Sequence, residues 1–347
     1  MLKIGIIGCG KITEVRHAPE YHENPNSKIV AFYDSRKERA VALAEKYGAK
    51  VCDSIEELLA MDIDAVSVCV ANVAHASISI QALEAKKHVL CEKPMAITIE
   101  ECELMIKAAK NNGVQLMIGH NQRFAGAHKK AHQLIKNNEI GKILSFRTVF
   151  GHPGPEGWTG EKNSWFFDKK LAHFGAMADL GVHKTDLIHY LLDDKIVEVI
   201  SAIKTLDKCL PNGEPISVDD NSYCIYKTEN GVVGTMHVSW TFYGQEDNST
   251  VIYGTEGIIK CYSDPEYSLI VEKKNGEVEK FQLDQMTSNE EQTNDGRVNT
   301  GVIDGFVDAI VNNKEVPVTG TEASKAMRVV IAAEESANKN SLVKVNY

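Results

Sequence analysis

The chain has 347 residues, of which 43% are hydrophobic and 25% charged, as in an ordinary globular protein large enough for more than one domain. The formal net charge of −10 argues against nucleic acid or an anionic membrane as the main partner, because both require a basic surface. The eight cysteines form no CxxC or zinc-ligand pattern, so we expect reduced thiols and no metal site. Neither a signal peptide nor an apolar run of about 18 residues is evident, so we expect a cytoplasmic protein.

The first third of the sequence alternates short apolar runs with amphipathic segments. Such runs, bounded by helices, are typical of the buried parallel strands of βαβ units. Thr98 followed by Glu101 is a capping-box pattern that marks a helix start. The sequence therefore predicts an α/β Rossmann domain, with a doubly wound parallel sheet, over residues 1–121. The predicted strands are Leu2–Gly8, Lys28–Tyr33, Asp64–Val70, His88–Cys91 and Val114–Gly119, and the predicted helices are Ser35–Tyr47, Ser54–Met61, Ala74–Lys86 and Thr98–Asn112.

The pattern changes after about Asn121, where strand-like runs follow one another with tight turns between them. This arrangement predicts a C-terminal α+β domain over residues 122–347, built on one large, mostly antiparallel open sheet. The predicted strands are Lys142–Phe150, Ile196–Thr205, Asn221–Lys227, Val232–Thr241, Thr250–Tyr253, Ile258–Cys261, Ser268–Glu272 and Val278–Leu283. The predicted helices are Ala125–Asn138, a long one at Ala172–Leu192, and two near the end at Gly301–Asn312 and Glu322–Asn338.

A glycine-rich loop follows the first predicted strand directly and opens a helix. Its first glycine permits a tight turn, and its second lets the main chain approach a pyrophosphate at the helix N-terminus. Thr13 stands where the usual fingerprint has a third Gly or Ala, and we expect so small a residue to be tolerated. A glycine-rich turn in another kind of α/β protein is the alternative. The predicted dinucleotide contacts in this loop are Gly8, Cys9, Gly10, Lys11 and Ile12.

An acidic residue, Asp34, ends the second predicted strand. Its carboxylate would accept hydrogen bonds from the adenosine ribose and repel a 2′-phosphate, which favours NAD. The next residues, Ser35 and Arg36, could instead hold that phosphate, so NADP remains open.

A Glu-Lys-Pro segment, Glu92-Lys93-Pro94, follows the predicted strand His88–Cys91. In a doubly wound sheet that strand end faces the ligand crevice, and the residue before a proline is kept out of helical geometry. The amine of Lys93 could therefore be aimed at a ligand. Ordinary surface charge is the alternative.

The long predicted helix carries three polar residues, Asp179, His183 and Asp186. Spacings of four and three residues put them on one helix face, with about 5–6 Å between neighbours. Histidine is the side chain best suited to move a proton near neutral pH, and a carboxylate one turn away can orient it. A core histidine on a helix face is the alternative.

Together these segments resemble the glucose–fructose oxidoreductase / inositol dehydrogenase (Gfo/Idh/MocA) family along the whole chain. Ala71 replaces the family's usual proline in one of them without removing a functional group. The segments that carry the resemblance are Gly8-Cys9-Gly10, Ala71-Asn72-Val73-Ala74-His75, His88-Val89-Leu90-Cys91-Glu92-Lys93-Pro94, Asn121-Gln122-Arg123-Phe124 and Asp179-Leu180-Gly181-Val182-His183-Lys184-Thr185-Asp186.

The resemblance implies an NAD(P)-dependent dehydrogenase or reductase acting on CH–OH groups. Lys93 would touch the reacting oxygen and the nicotinamide ribose, His183 would be the general acid/base, and Asp179 would orient His183 or bind a substrate hydroxyl. Arg123 and Trp165 would lie near the nicotinamide, although Trp165 could equally be a core residue. The further implied cofactor contacts are Ala71, Asn72, His75, Glu92 and Asn121.

A polar, Gly- and Pro-rich segment, 151–173, offers hydrogen-bonding groups for a polyhydroxy substrate. We expect His152, Trp165, Lys93, Asp179 and His183 to contact a sugar, cyclitol or glycoside. An exposed connection is the alternative for this segment. The resemblance implies a homodimer or homotetramer formed through the C-terminal sheet. Two other functions stay open, namely a glycoside-cleaving enzyme with tightly bound NAD and a nicotinamide-binding sensor without turnover.

Overall fold

The structure, a computed structural model, describes residues 1–285 and 299–347 and divides into two compact units. The first unit contains Met1–Asn121 and the described part of Glu290–Ser324; the second contains the described part of Gln122–Asn289 and Lys325–Tyr347. The strands are β1 (Leu2–Ile7), β2 (Ser27–Tyr33), β3 (Lys50–Val51), β4 (Ala65–Val68), β5 (His88–Cys91), β6 (Leu116–Ile118), β7 (Ile143–Gly151), β8 (Ile196–Lys204), β9 (Asn221–Thr228), β10 (Val233–Ser239), β11 (Thr250–Gly254), β12 (Gly257–Cys261), β13 (Leu269–Lys273), β14 (Val278–Phe281) and β15 (Val343–Lys344).

Within the described part of the chain, the helical segments include short 3₁₀ turns and two π-helical turns, Thr13–His17 and Met177–Gly181. The α-helices are α1 (Ala18–Glu23), α2 (Lys37–Tyr47), α3 (Ile55–Ala60), α4 (His75–Glu84), α5 (Ile99–Asn112), α6 (Gly126–Lys136), α7 (Pro155–Thr159), α8 (Lys169–Ala172), α9 (Val182–Leu192), α10 (Val302–Val311) and α11 (Gly320–Lys339).

The first unit is built on a parallel sheet of six strands in the order β3-β2-β1-β4-β5-β6. Every residue of β4 is buried, as expected for a strand covered on both faces by helices. Thr98 caps α5 in a complete capping box with Glu101, and Gly113 ends the helix in the left-handed conformation. The predicted Rossmann sheet is confirmed, and the additional strand β3 is too short to show in the sequence pattern.

The second unit is built on a sheet of nine strands in the order β14-β13-β12-β11-β7-β10-β9-β8-β15. All neighbouring strands are antiparallel except β7 and β10. Side chains along β9 alternate between buried and exposed, so one face of this strand packs inward and the other faces solvent. Helix α9 contacts β7, and the π-helical turn before it contacts β10. The predicted mostly antiparallel open sheet is confirmed.

The long helix predicted at Ala172–Leu192 is wrong as a single element. Helix α8 ends at Ala172, His173 has a positive φ of 67°, and a π-helical turn separates this break from α9. The cause lies outside the helix, because the carboxylate of Asp219 accepts the main-chain N–H groups of Gly175 and Met177. The helical-face argument therefore applies from His183 to Asp186, within α9, but not across the π-helical turn that carries Asp179.

Residues 299–324 belong to the first unit, although the sequence-based division places them in the second. Thr300 donates from its main-chain N–H to Glu20, Asn24 donates to Asp304, and the N–H of Ile118 bonds to the carbonyl of Val318. Periodicity predicts an amphipathic helix in this region but does not say which core it covers. Within residues 1–285 and 299–347, no helix is long and apolar enough to cross a bilayer.

Candidate functional site

The glycine loop after β1 has the shape that a dinucleotide requires. Gly8 has a φ of +93°, and a Cβ there would lie 2.1 Å from the carbonyl oxygen of Cys69, so only glycine fits. A Cβ at Gly10 would meet no protein atom within 4 Å, which leaves the main chain open to a ligand. Thr13 is buried, and its hydroxyl donates to the carbonyl of Gly8 across 2.6 Å. The threonine thus closes the loop rather than being merely tolerated in it.

Asp34 is held beside this loop at the end of β2. Its carboxylate accepts the N–H of Cys9 at 2.6 Å and the N–H of Arg36 at 2.8 Å. These contacts fix the carboxylate at the carboxyl edge of the sheet, where ribose hydroxyls bind in Rossmann domains. Ser35 and Arg36 are exposed, as is Lys11 on the other side of the loop.

The residues of the first unit fit a nicotinamide dinucleotide. Gly8 and Gly10 provide a loop without side chains, and Asp34 provides a ribose acceptor. The side-chain oxygen of Asn121 is buried and has no hydrogen-bond partner among the described residues. A buried polar atom without a partner is costly, so this oxygen is suited to a donor on a ligand.

Glu92 and Lys93 follow β5 at the same edge of the sheet. Oε1 of Glu92 lies 2.8 Å from Nε2 of His17, and its Oε2 accepts the N–H of Lys93 at 3.2 Å. Burial pushes the pKa of Glu92 upward, but the hydrogen bond and charge of His17 outweigh burial and lower the pKa to about 2. Glu92 is therefore an ionised carboxylate directly before the lysine.

His75 contacts main chain on both sides of its ring. Its Nδ1 lies 2.6 Å from the carbonyl oxygen of Pro94, and its Nε2 lies 3.1 Å from that of Val70. Burial lowers the pKa of His75, so the ring is neutral and carries one N–H, which we assign to the shorter contact. Ala71 and the buried Asn72 lead into this helix through a 3₁₀ turn.

Asp179 and His183 are buried in the second unit, each with 8% of its surface exposed. Asp179 lies in the π-helical turn and accepts the indole N–H of Trp240 at 3.1 Å. His183 lies in the first turn of α9, with its ring centroid 6.3 Å from that of Phe150. Single π-helical turns are rare and often occur at functional sites.

Trp165 is linked to Asp179 through packed rings. It is half-buried and stacks on Phe166 with 4.0 Å between ring centroids. Phe166 packs edge-on against Trp240, whose indole contacts Asp179. Trp165 is therefore neither fully in the core nor freely exposed.

Asp186 and Arg123 form a two-pronged ion pair within the second unit. Nε of Arg123 donates to Oδ2 at 2.7 Å, and Nη2 donates to Oδ1 at 2.6 Å. The neighbouring Lys184 has no exposed surface, and its ammonium donates to the carbonyl of Asn248 at 2.9 Å. Burial lowers the pKa of Lys184 to about 7. These three side chains all contact their own unit.

His152 is buried after β7, and its Nδ1 accepts the N–H of Gly154 at 2.9 Å. This bond places the ring proton on Nε2. The segment after it forms the short helix α7, and Lys208 anchors the segment by bonds to the carbonyl of Pro153 and to Glu156. Lys208 was not among the predicted residues, because nothing in its local sequence links it to a segment about fifty residues away.

Comparison with known proteins assigns the family. Residues 2–120 match the oxidoreductase family with an NAD-binding Rossmann fold, GFO_IDH_MocA, and residues 128–260 match the GFO/IDH/MocA C-terminal domain. The chain belongs to the Gfo/Idh/MocA family. It is thus an oxidoreductase whose N-terminal domain is an NAD-binding Rossmann domain, as the resemblance implies.

Curated members of the Gfo/Idh/MocA family are similar over much of their length. D-glucoside 3-dehydrogenase of Escherichia coli (strain K12) is 33% identical over 251 residues, which cover 69% of this chain and 70% of that protein. Glucose-6-phosphate 3-dehydrogenase of Bacillus subtilis (strain 168) is 32% identical over 238 residues, 67% of this chain and 66% of that protein, just under two thirds. A solved structure of levoglucosan dehydrogenase with NADH and levoglucosan has a TM-score of 0.86 at 27% identity and covers 99% of both chains.

Three side chains of this Gfo/Idh/MocA protein that bond to the candidate residues or to the turn before them were not predicted from its sequence: His17, Asp219 and Trp240. Each acts by a hydrogen bond to a residue far away in the chain, and no local pattern records such a bond. Within the described ranges, no group of three His, Cys, Asp or Glu side chains is placed to hold a metal ion.

Proposed function

We propose that this protein transfers a hydride between a secondary hydroxyl of a sugar, cyclitol or glycoside and NAD. The observation that carries the proposal is the placement of Asp179 and His183, two ionisable side chains buried at a π-helical turn and the start of α9. Burying such groups is costly, and an apolar core has no need of them. Buried ionisable groups cluster at functional sites, where the chemistry requires them.

His183 is the proposed general base, and it takes the proton of the substrate hydroxyl when the alcohol is oxidised. Lys93, as an ammonium, stabilises the negative charge that develops on the same oxygen. Asp179 orients His183 or binds a neighbouring hydroxyl. When bound, NAD supplies the hydride acceptor, and the protein supplies orientation and charge.

NAD is proposed over NADP because the carboxylate of Asp34 is fixed beside the glycine loop. A 2′-phosphate in place of the ribose hydroxyl would meet this negative charge. The proposed cofactor contacts are those predicted from the sequence, with His75 and Glu92 acting by holding the Lys93 loop in place.

The substrate class is proposed from the relatives and from the polar segment after β7. Three similar proteins are named for activity on glucosides, glucose 6-phosphate and levoglucosan. The sequence shows no arginine cluster of the kind that phosphate favours. We therefore propose an uncharged substrate, with His152 donating from Nε2 to one of its hydroxyls.

Lys93→Met and His183→Ala test these roles once a substrate is known. Both variants are expected to lose at least about 100-fold in kcat. His183→Ala should bind NAD with wild-type affinity in a fluorescence titration, and Lys93→Met should bind it only a few-fold more weakly, because it loses one contact to the nicotinamide ribose. Near-native turnover by either variant would contradict the assignment. If the wild-type protein retains NAD through purification and cleaves a glycoside without net formation of NADH, it is a glycoside-cleaving enzyme with a redox cycle within one turnover. If it binds NAD but turns over no substrate, it is a sensor.

We also propose that the sheet of the second unit forms a homo-oligomer interface. Ile200, Tyr223, Ile225 and Val233 are between 41% and 51% exposed on neighbouring strands. Contiguous apolar surface of this kind usually marks an interface. Ile225→Lys should reduce the mass in light scattering to that of a monomer, whereas Leu104→Lys, exposed on α5, should not. Equal masses for both variants would contradict the proposal.

A further inference from the structure

Two buried histidines bracket the Glu92-Lys93-Pro94 loop of the first unit. His17 ends the π-helical turn after the glycine loop, and its Nε2 lies 2.8 Å from Oε1 of Glu92. His75 begins α4, and its Nδ1 lies 2.6 Å from the carbonyl oxygen of Pro94. Lys93 thus lies between Glu92, which His17 contacts, and Pro94, which His75 contacts.

The two histidines hold the loop in different ways. His75 lies between two main-chain carbonyls, and as a neutral ring it donates to one of them, that of Pro94. His17 contacts a carboxylate on one side and, through Nδ1, the hydroxyl of Ser67 at 3.2 Å on the other. Ser67 in turn lies 2.8 Å from the hydroxyl of Tyr21. Both nitrogens of His17 face oxygen atoms that can accept, as those of His75 do, but one of these oxygens belongs to a carboxylate, whose negative charge favours a second N–H on this ring.

The charge balance of this cluster depends on His17. A buried carboxylate without a cation is strongly disfavoured. Burial pushes the pKa of His17 downward, but Cys69 and Glu92 outweigh burial and raise the pKa well above its ordinary value. The other titratable or charged groups around the pair are Arg16, Glu20, Tyr21 and Lys93. These opposite shifts favour an imidazolium at His17 and a carboxylate at Glu92 at neutral pH.

The second oxygen of Glu92 extends the contact to the lysine, because Oε2 accepts the main-chain N–H of Lys93 at 3.2 Å. We propose that His17 is a positioning residue for Lys93: its imidazolium holds the Glu92 carboxylate, and that carboxylate holds the main chain of the lysine. The consequence for catalysis rests on the proposed function, in which Lys93 touches the reacting oxygen. The ion pair itself does not depend on it.

His17→Gln is the decisive variant, because glutamine can keep one N–H near Glu92 but carries no charge. We expect kcat to fall at least about tenfold through displacement of Lys93, with the KM for substrate changed less than kcat. We also expect a new fall of kcat/KM on the acid side, because Glu92 without its cation is protonated at a higher pH. The double variant H17Q/E92Q replaces the charged pair by a neutral one and should lack that acid-side fall.

His22→Gln is the matched control, since His22 lies on the adjacent helix α1 and its ring packs against Tyr47 instead of Glu92. It should keep the wild-type kcat and pH profile. If His17→Gln gives the same kcat and profile as His22→Gln, the proposal is wrong. NAD binding and thermal melting are measured for each variant, so that a loss of cofactor or of folding is recognised.

Nitrogen-15 NMR of the wild-type protein tests the ion pair without a variant or a substrate. We expect the ring nitrogens of His17 to have imidazolium shifts at pH 7 and those of His75 to have neutral shifts. A neutral His17 at pH 7 would overturn the proposal even if His17→Gln fails to fold. Absence of dehydrogenase activity with an imidazolium at His17 would instead overturn the proposed function and leave the ion pair intact.

Discussion

The indole N–H of Trp240 donates a hydrogen bond to Oδ2 of Asp179 across 3.1 Å. Trp240 has no exposed surface, and Phe166 and Phe167 both pack edge-on against its ring. The carboxylate of Asp179 is therefore held by a side chain that is itself packed among other rings. This hydrogen bond and the packing around the indole fix where the carboxylate of Asp179 lies.

Trp240→Phe removes this donor and keeps an aromatic ring in place. We expect kcat to fall about tenfold while the affinity for NAD stays at the wild-type value. The lost hydrogen bond and the smaller ring should together lower the free energy of unfolding by about 1–3 kcal/mol. Steady-state kinetics and urea unfolding measure both effects. A variant with wild-type kcat would show that the indole contact has no part in catalysis.

Asp219→Asn tests how the π-helical turn is held. Asp219 accepts the N–H groups of Gly175 and Met177 and the hydroxyl of Ser222. Asparagine has one acceptor oxygen and directs an NH₂ group at the other main-chain donor, which costs about 1–3 kcal/mol of stability. We expect kcat to fall by about 10- to 100-fold, because this turn carries Asp179 and precedes His183.

Ser222→Ala is the control for this prediction, since it removes one donor to Asp219 and leaves both main-chain bonds. Its kcat should stay within about twofold of the wild type. A comparable loss in both variants, or none in Asp219→Asn, would contradict a positioning role for the aspartate.

Gly10→Ala is expected to weaken cofactor binding without changing the stability of the fold. A Cβ at Gly10 meets no protein atom within 4 Å, so the melting temperature should not change. The methyl group would instead obstruct the approach of a pyrophosphate, and we expect the KM for NAD to rise at least about tenfold. Gly8→Ala should instead fail to fold stably, because its Cβ would lie 2.1 Å from the carbonyl oxygen of Cys69. An unchanged KM for NAD in Gly10→Ala would place the cofactor elsewhere.

Glu20 makes the stability of the first unit depend on pH. Burial raises the pKa of this carboxyl to about 7 in the folded state, although Thr300 donates two hydrogen bonds to it. The folded protein thus binds more protons than the unfolded chain between about pH 4.5 and 7, and stability is lost as pH rises through this window.

Glu20→Gln should therefore stabilise the protein at pH 8, by up to about 3 kcal/mol, and have little effect at pH 4.5. The amide oxygen can still accept from Thr300. Urea unfolding at the two pH values measures the difference, with Glu38→Gln, an exposed position on α2, as the control. Equal effects of Glu20→Gln at both pH values would show that the pKa of Glu20 is the same in the folded protein as in the unfolded chain.

Much of the fold could be predicted because strands and helices leave local periodic patterns. The longer strands of both sheets and the cap at Thr98 follow from apolar alternation and turn chemistry, whereas the two-residue strands β3 and β15 were not predicted. The π-helical turn before His183 could not be predicted, and the side chain that bonds to the main chain at its start, Asp219, lies about forty residues away. The same holds for residues 299–324, whose partners Glu20 and Asn24 lie near the N-terminus.

The candidate site could be predicted in its residue types but not in its contacts. The Glu-Lys-Pro and Asp-x-x-x-His segments mark Lys93, Asp179 and His183 without any structure. The bonds that hold them, from His17 and Trp240, join distant positions and become visible only in the folded chain. The pairing of Arg123 with Asp186 is a further case, because Arg123 was predicted as a cofactor contact and Asp186 only as part of a polar helix face.

The central claim is tested most directly by an absorbance assay for reduced nicotinamide. The purified protein is mixed with NAD or NADP and with each member of a panel of inositols, free sugars and glycosides. The account predicts NADH formation with at least one uncharged polyhydroxy compound, a preference for NAD, and loss of the signal in His183→Ala. A signal that His183→Ala retains, or a wild-type protein that binds NAD and reduces none of it with any member of the panel, would contradict it.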